Sequence, residues 1–159
     1  DKRKIVSDRD LEAIVADQLK LFQETYFLEH VQVSCGDHSI PTATVRLRHR
    51  DGAVLCDADT GTGPVDAVYK AINRIVRVPN KLVKFEIDAI DEGMDAVGKT
   101  AIRIQADWPE EVKARGLPTV FSGYGASTDI VVSAAKAYMH ALNKLLWVQH
   151  EALNNNAKQ

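Results

Sequence analysis

The spacing of apolar positions changes period several times along the chain, and each change predicts an element. Leu11, Ile14, Val15 and Leu19 recur at helical spacing behind Ser7, with Asp10 at capping-box distance, so a first helix is predicted over 8–22. The period then falls to two. Val31, Val33 and Cys35 alternate with polar neighbours, as do Ala43, Val45 and Leu47 with Thr44, Arg46 and Arg48. Asp51-Gly52 is a hairpin signal, and a third strand-like run over 54–58 leads to Gly61-Thr62-Gly63. From Pro64, a favoured first helical residue, Val65, Val68, Tyr69, Ile72, Ile75 and Val76 make one apolar stripe.

The second half repeats this order. Val83, Phe85, Ile87 and Ala89 alternate with Lys84, Glu86 and Asp88, and Ile102, Ile104 and Ala106 alternate with Arg103 and Gln105. A short strand is predicted over 119–122, and the polar, Pro-bounded stretch 108–118 before it as a mobile loop. A helix over 127–148 then carries Ile130, Ala134, Ala137, Tyr138, Ala141 and Leu145 on one face. The fold class is α+β: two βββα units related by pseudo-two-fold symmetry, preceded by a linker helix. The predicted bounds are a helical linker at 1–25, a folded unit at 26–149 divided into 26–79 and 80–149, and a disordered tail at 150–159, where Asn154-Asn155-Asn156 frays.

One motif occurs in both halves. Gly61-Thr62-Gly63-Pro64-Val65-Asp66-Ala67 and Gly123-Tyr124-Gly125-Ala126-Ser127-Thr128-Asp129-Ile130 each read as a strand-to-helix turn, with a site expected where the halves meet. A Gly-x-Gly turn lets backbone N–H groups approach an anion, and the positive end of the helix dipole favours a carboxylate or phosphate there. The same glycines equally fit a plain structural need for positive φ or close strand–helix packing. Neither copy continues to Gly-Lys-Ser/Thr or has a third glycine at dinucleotide spacing, which argues against a nucleotide.

Other chemistry is sparse. His30, His38, His49, His140 and His150 lack metal-site pairing, and no Cys/His or Ser/His pair assembles. Asp66 and Asp129 fall in first helical turns, where capping alone accounts for a carboxylate. The small stripe Ala134, Ala137, Ala141 allows a close backbone approach, either at a helix–helix contact or in the core. With 159 residues, 45% of them hydrophobic, the chain has enough material for one domain with a proper core, and its net charge of −2 gives no basic field for nucleic acid or anionic lipid. Cys35 and Cys56 lie in strand-like segments without ligand spacing, so they are expected as buried free thiols of a reducing compartment, cytoplasm or organelle stroma. No apolar run has membrane length, and the opening at Asp1 without an initiator Met suggests a piece of a longer protein.

Taken in order, Val33-Ser34-Cys35-Gly36, Pro41-Thr42-Ala43-Thr44-Val45, Gly61 through Ile72, and Phe121-Ser122-Gly123 through Val131 resemble the C-terminal regulatory domain of 2-isopropylmalate synthase, over about 27–146. The segment before Phe27 resembles the end of the linker to that family's catalytic barrel. The resemblance implies a feedback sensor. In the family an N-terminal β/α barrel holding a divalent metal condenses acetyl-CoA with 2-oxoisovalerate, and L-leucine bound at the C-terminal dimer shuts it down. The family's HxH motif is not in this chain, which implies a catalytically silent portion with no cofactor of its own. Family ligands sit between the two units near the helix starts, which maps an effector site onto Gly61, Gly63, Val65, Asp66, Tyr69, Gly123, Gly125, Ala126 and Asp129. The implied partners are L-leucine, a second copy of the chain and the barrel of the same polypeptide, with neither nucleic acid nor membrane. Citramalate synthase carries a similar domain that senses isoleucine. A module that dimerises without a ligand response is a further alternative.

Overall fold

In the computed structural model, residues 22–155 are described. Strands β1 (Tyr26–Ser34), β2 (Thr42–His49) and β3 (Val54–Thr60) lead to helix α1 (Pro64–Val76); β4 (Asn80–Ala89), β5 (Gly98–Ala106), a short helix α2 (Glu110–Lys113) and β6 (Val120–Ser127) lead to helix α3 (Ile130–Asn154). Two antiparallel sheets result, ordered β1-β2-β3 and β4-β5-β6, each followed by a helix, as the twice-repeated βββα pattern predicts. The predicted helix over 8–22 lies outside the described residues, apart from Phe22, which is not helical.

The middle strands obey their alternation. Ala43, Val45 and Leu47 on β2 are fully buried under α1, and Thr100, Ile102 and Ile104 on β5 are buried under α3. The edge strands diverge. A bulge between Leu82 and Lys84 takes Val83 out of phase, so Leu82, Phe85, Ile87 and Ala89 stand opposite Ile104, Ile102, Thr100 and Gly98, on the helix side. All four are nevertheless exposed, because α3 packs on β6 and β5 and stops short of β4. Their counterparts on β1, Leu28, Val31 and Val33, are half-buried, since the long α3 also crosses to β1. There Asn143, fully enclosed, accepts the N–H groups of Thr25 and Tyr26, both at 3.0 Å, and donates to Tyr26 O at 2.9 Å.

Four local expectations need correction. β6 runs on to Ser127, and α3 begins at Ile130 and continues to Asn154, beyond the predicted end at 148 and into the stretch expected as a tail; 156–159 lie outside the described residues. The stretch 108–118 is tied down rather than loose. Trp108 is buried, its Nε1–H donates to Pro118 O at 2.9 Å, and Arg115 Nη1 donates to Ala152 O at 2.9 Å. Both cysteines are exposed. β1 ends one residue before Cys35, and Cys56 stands opposite the exposed Arg46, on the outer face of its sheet. The fourth correction concerns the second Gly-x-Gly and is set out with the site.

Candidate functional site

The two helix starts are built differently. α1 opens at Gly63, whose backbone is extended and which offers no side-chain cap; Pro64 supplies the first helical residue. Asp66, in the first turn, folds the glycine turn back on the helix: its Oδ2 accepts Thr62 N–H at 2.9 Å and pairs with Lys70 Nζ at 3.0 Å. The Thr62 N–H and the Lys70 ammonium hold the Asp66 carboxyl below its ordinary value, against partial burial. Gly61 is there for close approach, since a Cβ would fall 2.6 Å from Asp66 Oδ2 and against the Ala67 backbone. Gly63 faces open space.

α3 opens instead at Asp129, which closes its own amides: Oδ1 accepts Val131 N–H at 2.8 Å and Val132 N–H at 3.3 Å. Asp129 therefore occupies the cap position that Gly63 holds in the first unit. It follows that Gly123 and Gly125 are not turn residues. They lie inside β6 beneath α3, where a Cβ on Gly123 would sit 2.7 Å from Ala141 N and one on Gly125 2.7 Å from Ala137 N. Ala137 and Ala141 are the helical side of that contact, serving helix–sheet packing, whereas Ala134, also buried, meets the first helix through its carbonyl. Ala126 is exposed on the outer face of β6.

The units meet through a pair of tyrosines. Tyr69 of α1 and Tyr138 of α3 stack with ring centroids 4.1 Å apart, and Tyr69 OH donates to Ala134 O at 3.1 Å. Burial raises the pKa of both phenols, so both stay neutral donors. Tyr138 also closes a ring of hydrogen bonds: Asn73 Nδ2 donates to its hydroxyl at 2.6 Å, the hydroxyl donates to Asn80 Oδ1 at 2.9 Å, and Asn80 Nδ2 donates to Asn73 Oδ1 at 3.1 Å. Sequence reading singled out Tyr69 but missed Asn73, Asn80 and Asn143. The available signal was an amide one turn beyond Tyr69, and another, Asn143, in the otherwise apolar run of α3.

Clefts indent the described surface. One of about 560 Å³ lies between the start of β3 and the end of α1, one of about 360 Å³ between Glu24–Leu28 and His140, and one of about 190 Å³ on the outer face of the second sheet. None of the nine expected effector residues lines these three. Among the described residues no group of His, Cys, Asp and Glu side chains is arranged to hold a metal ion, and no described helix is long and apolar enough to cross a membrane.

The LeuA allosteric (dimerisation) domain family model matches residues 5–146, most of the chain. The chain belongs to that family. Its LeuA-type sequence is 50% identical to the 2-isopropylmalate synthase of Gloeobacter violaceus over 145 residues, which is 91% of the chain and 25% of the relative. The 2-isopropylmalate synthase of Crocosphaera subtropica is 51% identical over 145 residues, with the same coverage, and that of Picosynechococcus 46% identical over 156 residues, 98% of the chain and 27% of the relative. This LeuA-type domain thus spans about a quarter of the length of the curated relatives it matches. The resemblance to the regulatory domain of 2-isopropylmalate synthase, drawn from the ordered motifs, is borne out.

Proposed function

We propose that this LeuA-type domain is the feedback sensor of a cytoplasmic 2-isopropylmalate synthase: two copies pair, bind L-leucine near the helix starts, and regulate the condensation of acetyl-CoA with 2-oxoisovalerate by a barrel elsewhere in the polypeptide. The domain performs no chemistry itself. Residues 1–25 carry the signal to the barrel.

The observation that supports this reading best is the contrast between the helix starts. Asp129 fills the amides of α3, whereas the start of α1 has no side-chain cap and opens on unfilled space at Gly63. An incoming carboxylate finds the Val65 and Asp66 N–H groups and the positive dipole end there. The Asp66 carboxylate, engaged at Oδ2, offers Oδ1 to the ammonium, and Val65 and Tyr69 supply the apolar wall. Gly123 and Gly125 act at one remove, drawing α3 close so that Ala134 O meets Tyr69, while Ala126 and Asp129 flank the start of that helix.

Two further features favour a second copy. The helix-side face of β4 is uncovered, with Leu82, Phe85 and Ile87 each more than a third exposed. The three clefts described above are not lined by any expected effector residue, and a partner closing over the open start of α1 supplies the enclosure. The test is calorimetric and thermal titration of the domain with L-leucine, L-isoleucine and L-valine. At about a hundred times the dissociation constant, leucine adds ~2.7 kcal/mol and raises Tm by about 5–11 °C. Isoleucine, which differs only in the placement of one methyl group, falls short by about 1–3 kcal/mol in binding. No shift with any of the three at millimolar concentration overturns the reading. A larger shift with isoleucine reassigns the sensor to the citramalate synthase type.

A further inference from the structure

Among the described residues β6 is an edge strand, paired with β5 in its sheet. Along the other edge, alternate residues Ser122, Tyr124 and Ala126 turn their backbone groups outward. Each of the three is met by a side chain of α3. Lys144 Nζ donates to Ser122 O at 2.8 Å, Tyr124 N–H donates to His140 Nδ1 at 3.1 Å, and Lys136 Nζ donates to Ala126 O at 3.4 Å. The three side chains are spaced i, i+4, i+8, a rise of about 6 Å per step. That keeps pace with the two-residue repeat of a strand, about 6.8 Å. Their chemistry also matches an adjoining strand, with donors facing the two carbonyls and an acceptor facing the amide between them.

We propose that Lys136, His140 and Lys144 form a surrogate strand that closes the outer edge of β6 against pairing with another chain, and that protonation of His140 opens its middle rung. An open row of N–H and C=O groups is a template for any extended chain, and natural edges are commonly covered or charged for that reason. Here both devices are combined, since the rungs that cover the edge carry the charge. The middle rung depends on the neutral imidazole. Nδ1 accepts only while it keeps its lone pair, which the protonated ring has lost.

The surroundings of His140 favour the closed form. Its ring is half-buried between Phe22 and Tyr124, with centroids 6.2 and 6.3 Å away. Among the described residues the charged groups around it are Lys136 and Lys144 on its own helix and Glu24, which lines the same cleft from the lead-in to β1; β6 presents the neutral Tyr124. Burial, and secondarily the Lys144 ammonium, hold the His140 pKa below the ordinary 6.5. A depressed folded-state pKa means the rung is fully closed above 6.5 and is lost as pH falls through the lower folded value.

The experiment is amide hydrogen exchange at Tyr124 in the whole chain from pH 8 down to pH 5, corrected for the intrinsic rate, with His140→Leu and His140→Gln alongside. At pH 7.5, His140→Leu exchanges at Tyr124 about fivefold to tenfold faster than the parent, the effect of one ordinary hydrogen bond. The parent approaches that rate as pH falls, while His140→Gln, whose amide oxygen accepts and does not titrate, keeps its protection throughout. Protection at Tyr124 that is unchanged in His140→Leu, or that stays flat with pH in the parent, overturns the proposal. If the leucine variant fails to fold, the parent and glutamine profiles still decide: parallel profiles refute it and divergent ones support it. Either outcome leaves the leucine reading as it was, because the rung under test, His140 to Tyr124, lies outside the expected effector residues.

Discussion

The two βββα units share a topology and differ in how each holds its helix. In the first, a 13-residue helix rests on its sheet with a glycine turn at its start and Asp66 folded back across that turn. In the second, a 25-residue helix is capped by Asp129 and pressed onto glycines within the strand beneath it. The longer helix reaches across to β1, whereas the shorter one touches β4 through the edge contact of Tyr69 with Phe85, centroids 6.5 Å apart, and leaves that strand largely exposed. Pseudo-symmetry of topology thus coexists with a division of labour. One unit keeps an open helix start, and the other carries the capped helix and the exposed edge strand.

Adding a single methyl group separates the two glycine pairs most sharply. Gly123→Ala and Gly125→Ala force a Cβ into the α3 backbone and are expected to cost about 3 kcal/mol or more, read as a large fall in denaturant midpoint. Gly63→Ala meets nothing and stays within about 0.5 kcal/mol. Equal losses would return all the glycines to one structural role. Tyr138→Phe comes next, since it strands Asn80 Oδ1 and Asn73 Nδ2 at the junction. A loss of about 1–3 kcal/mol is expected, with calorimetric and van't Hoff enthalpies drifting apart as the units uncouple; a silent Tyr138→Phe refutes the ring's importance.

The edge strands provide the third contrast. Val31→Lys, on the half-covered β1, is expected to lower stability by about 1–2 kcal/mol. Ile87→Lys, on the bare β4, leaves the dilute chain within about 0.5 kcal/mol but abolishes self-association in sedimentation equilibrium. An Ile87→Lys chain that still pairs places the interface elsewhere. Gly63→Asp tests the open helix start: a cap is gained, stability holds or rises by a few tenths of a kcal/mol, and the rise in Tm expected with leucine is abolished if the proposed anion site lies there. The smallest effect is acid-limited. The Asp66 carboxyl lies below its ordinary 3.8 in the fold, so its contribution is present above that value and is lost as pH falls below it. Asp66→Asn should therefore lower the urea midpoint slightly at neutrality, flatten its decline between pH 4 and pH 2, and converge with the parent at the acid end.

The sequence reading was strongest where one element decides its own pattern. The alternation on β2 and β5 and the stripe on α1 located strands and helix, because central strands are covered whichever way the rest packs. It was weakest where burial depends on a second element. The β4 pattern Phe85, Ile87, Ala89 looks as buried as that of β5, yet alternation records which side a residue faces and not whether anything lies above it. Gly123 and Gly125 were found as a motif but placed in a turn, since a glycine needed beneath a helix reads like one needed at a bend. The matching Ala137 and Ala141, one helical turn apart, carried the missing information. Contacts such as His140 to Tyr124 depend on how a helix is rotated over a strand, which periodicity leaves open.

The clasp of Asn143 on Thr25 and Tyr26 joins positions separated by 118 and 117 residues. During synthesis the start of β1 therefore emerges long before the amide that holds it. The first unit must assemble on the ribosome with one strand end untethered, and that strand is secured only when nearly the whole domain has been made. Termination between the end of β3 and residue 143 leaves a three-stranded sheet whose first strand lacks this clasp at its start. Completion of the last helix acts, in effect, as a proofreading step for the first strand.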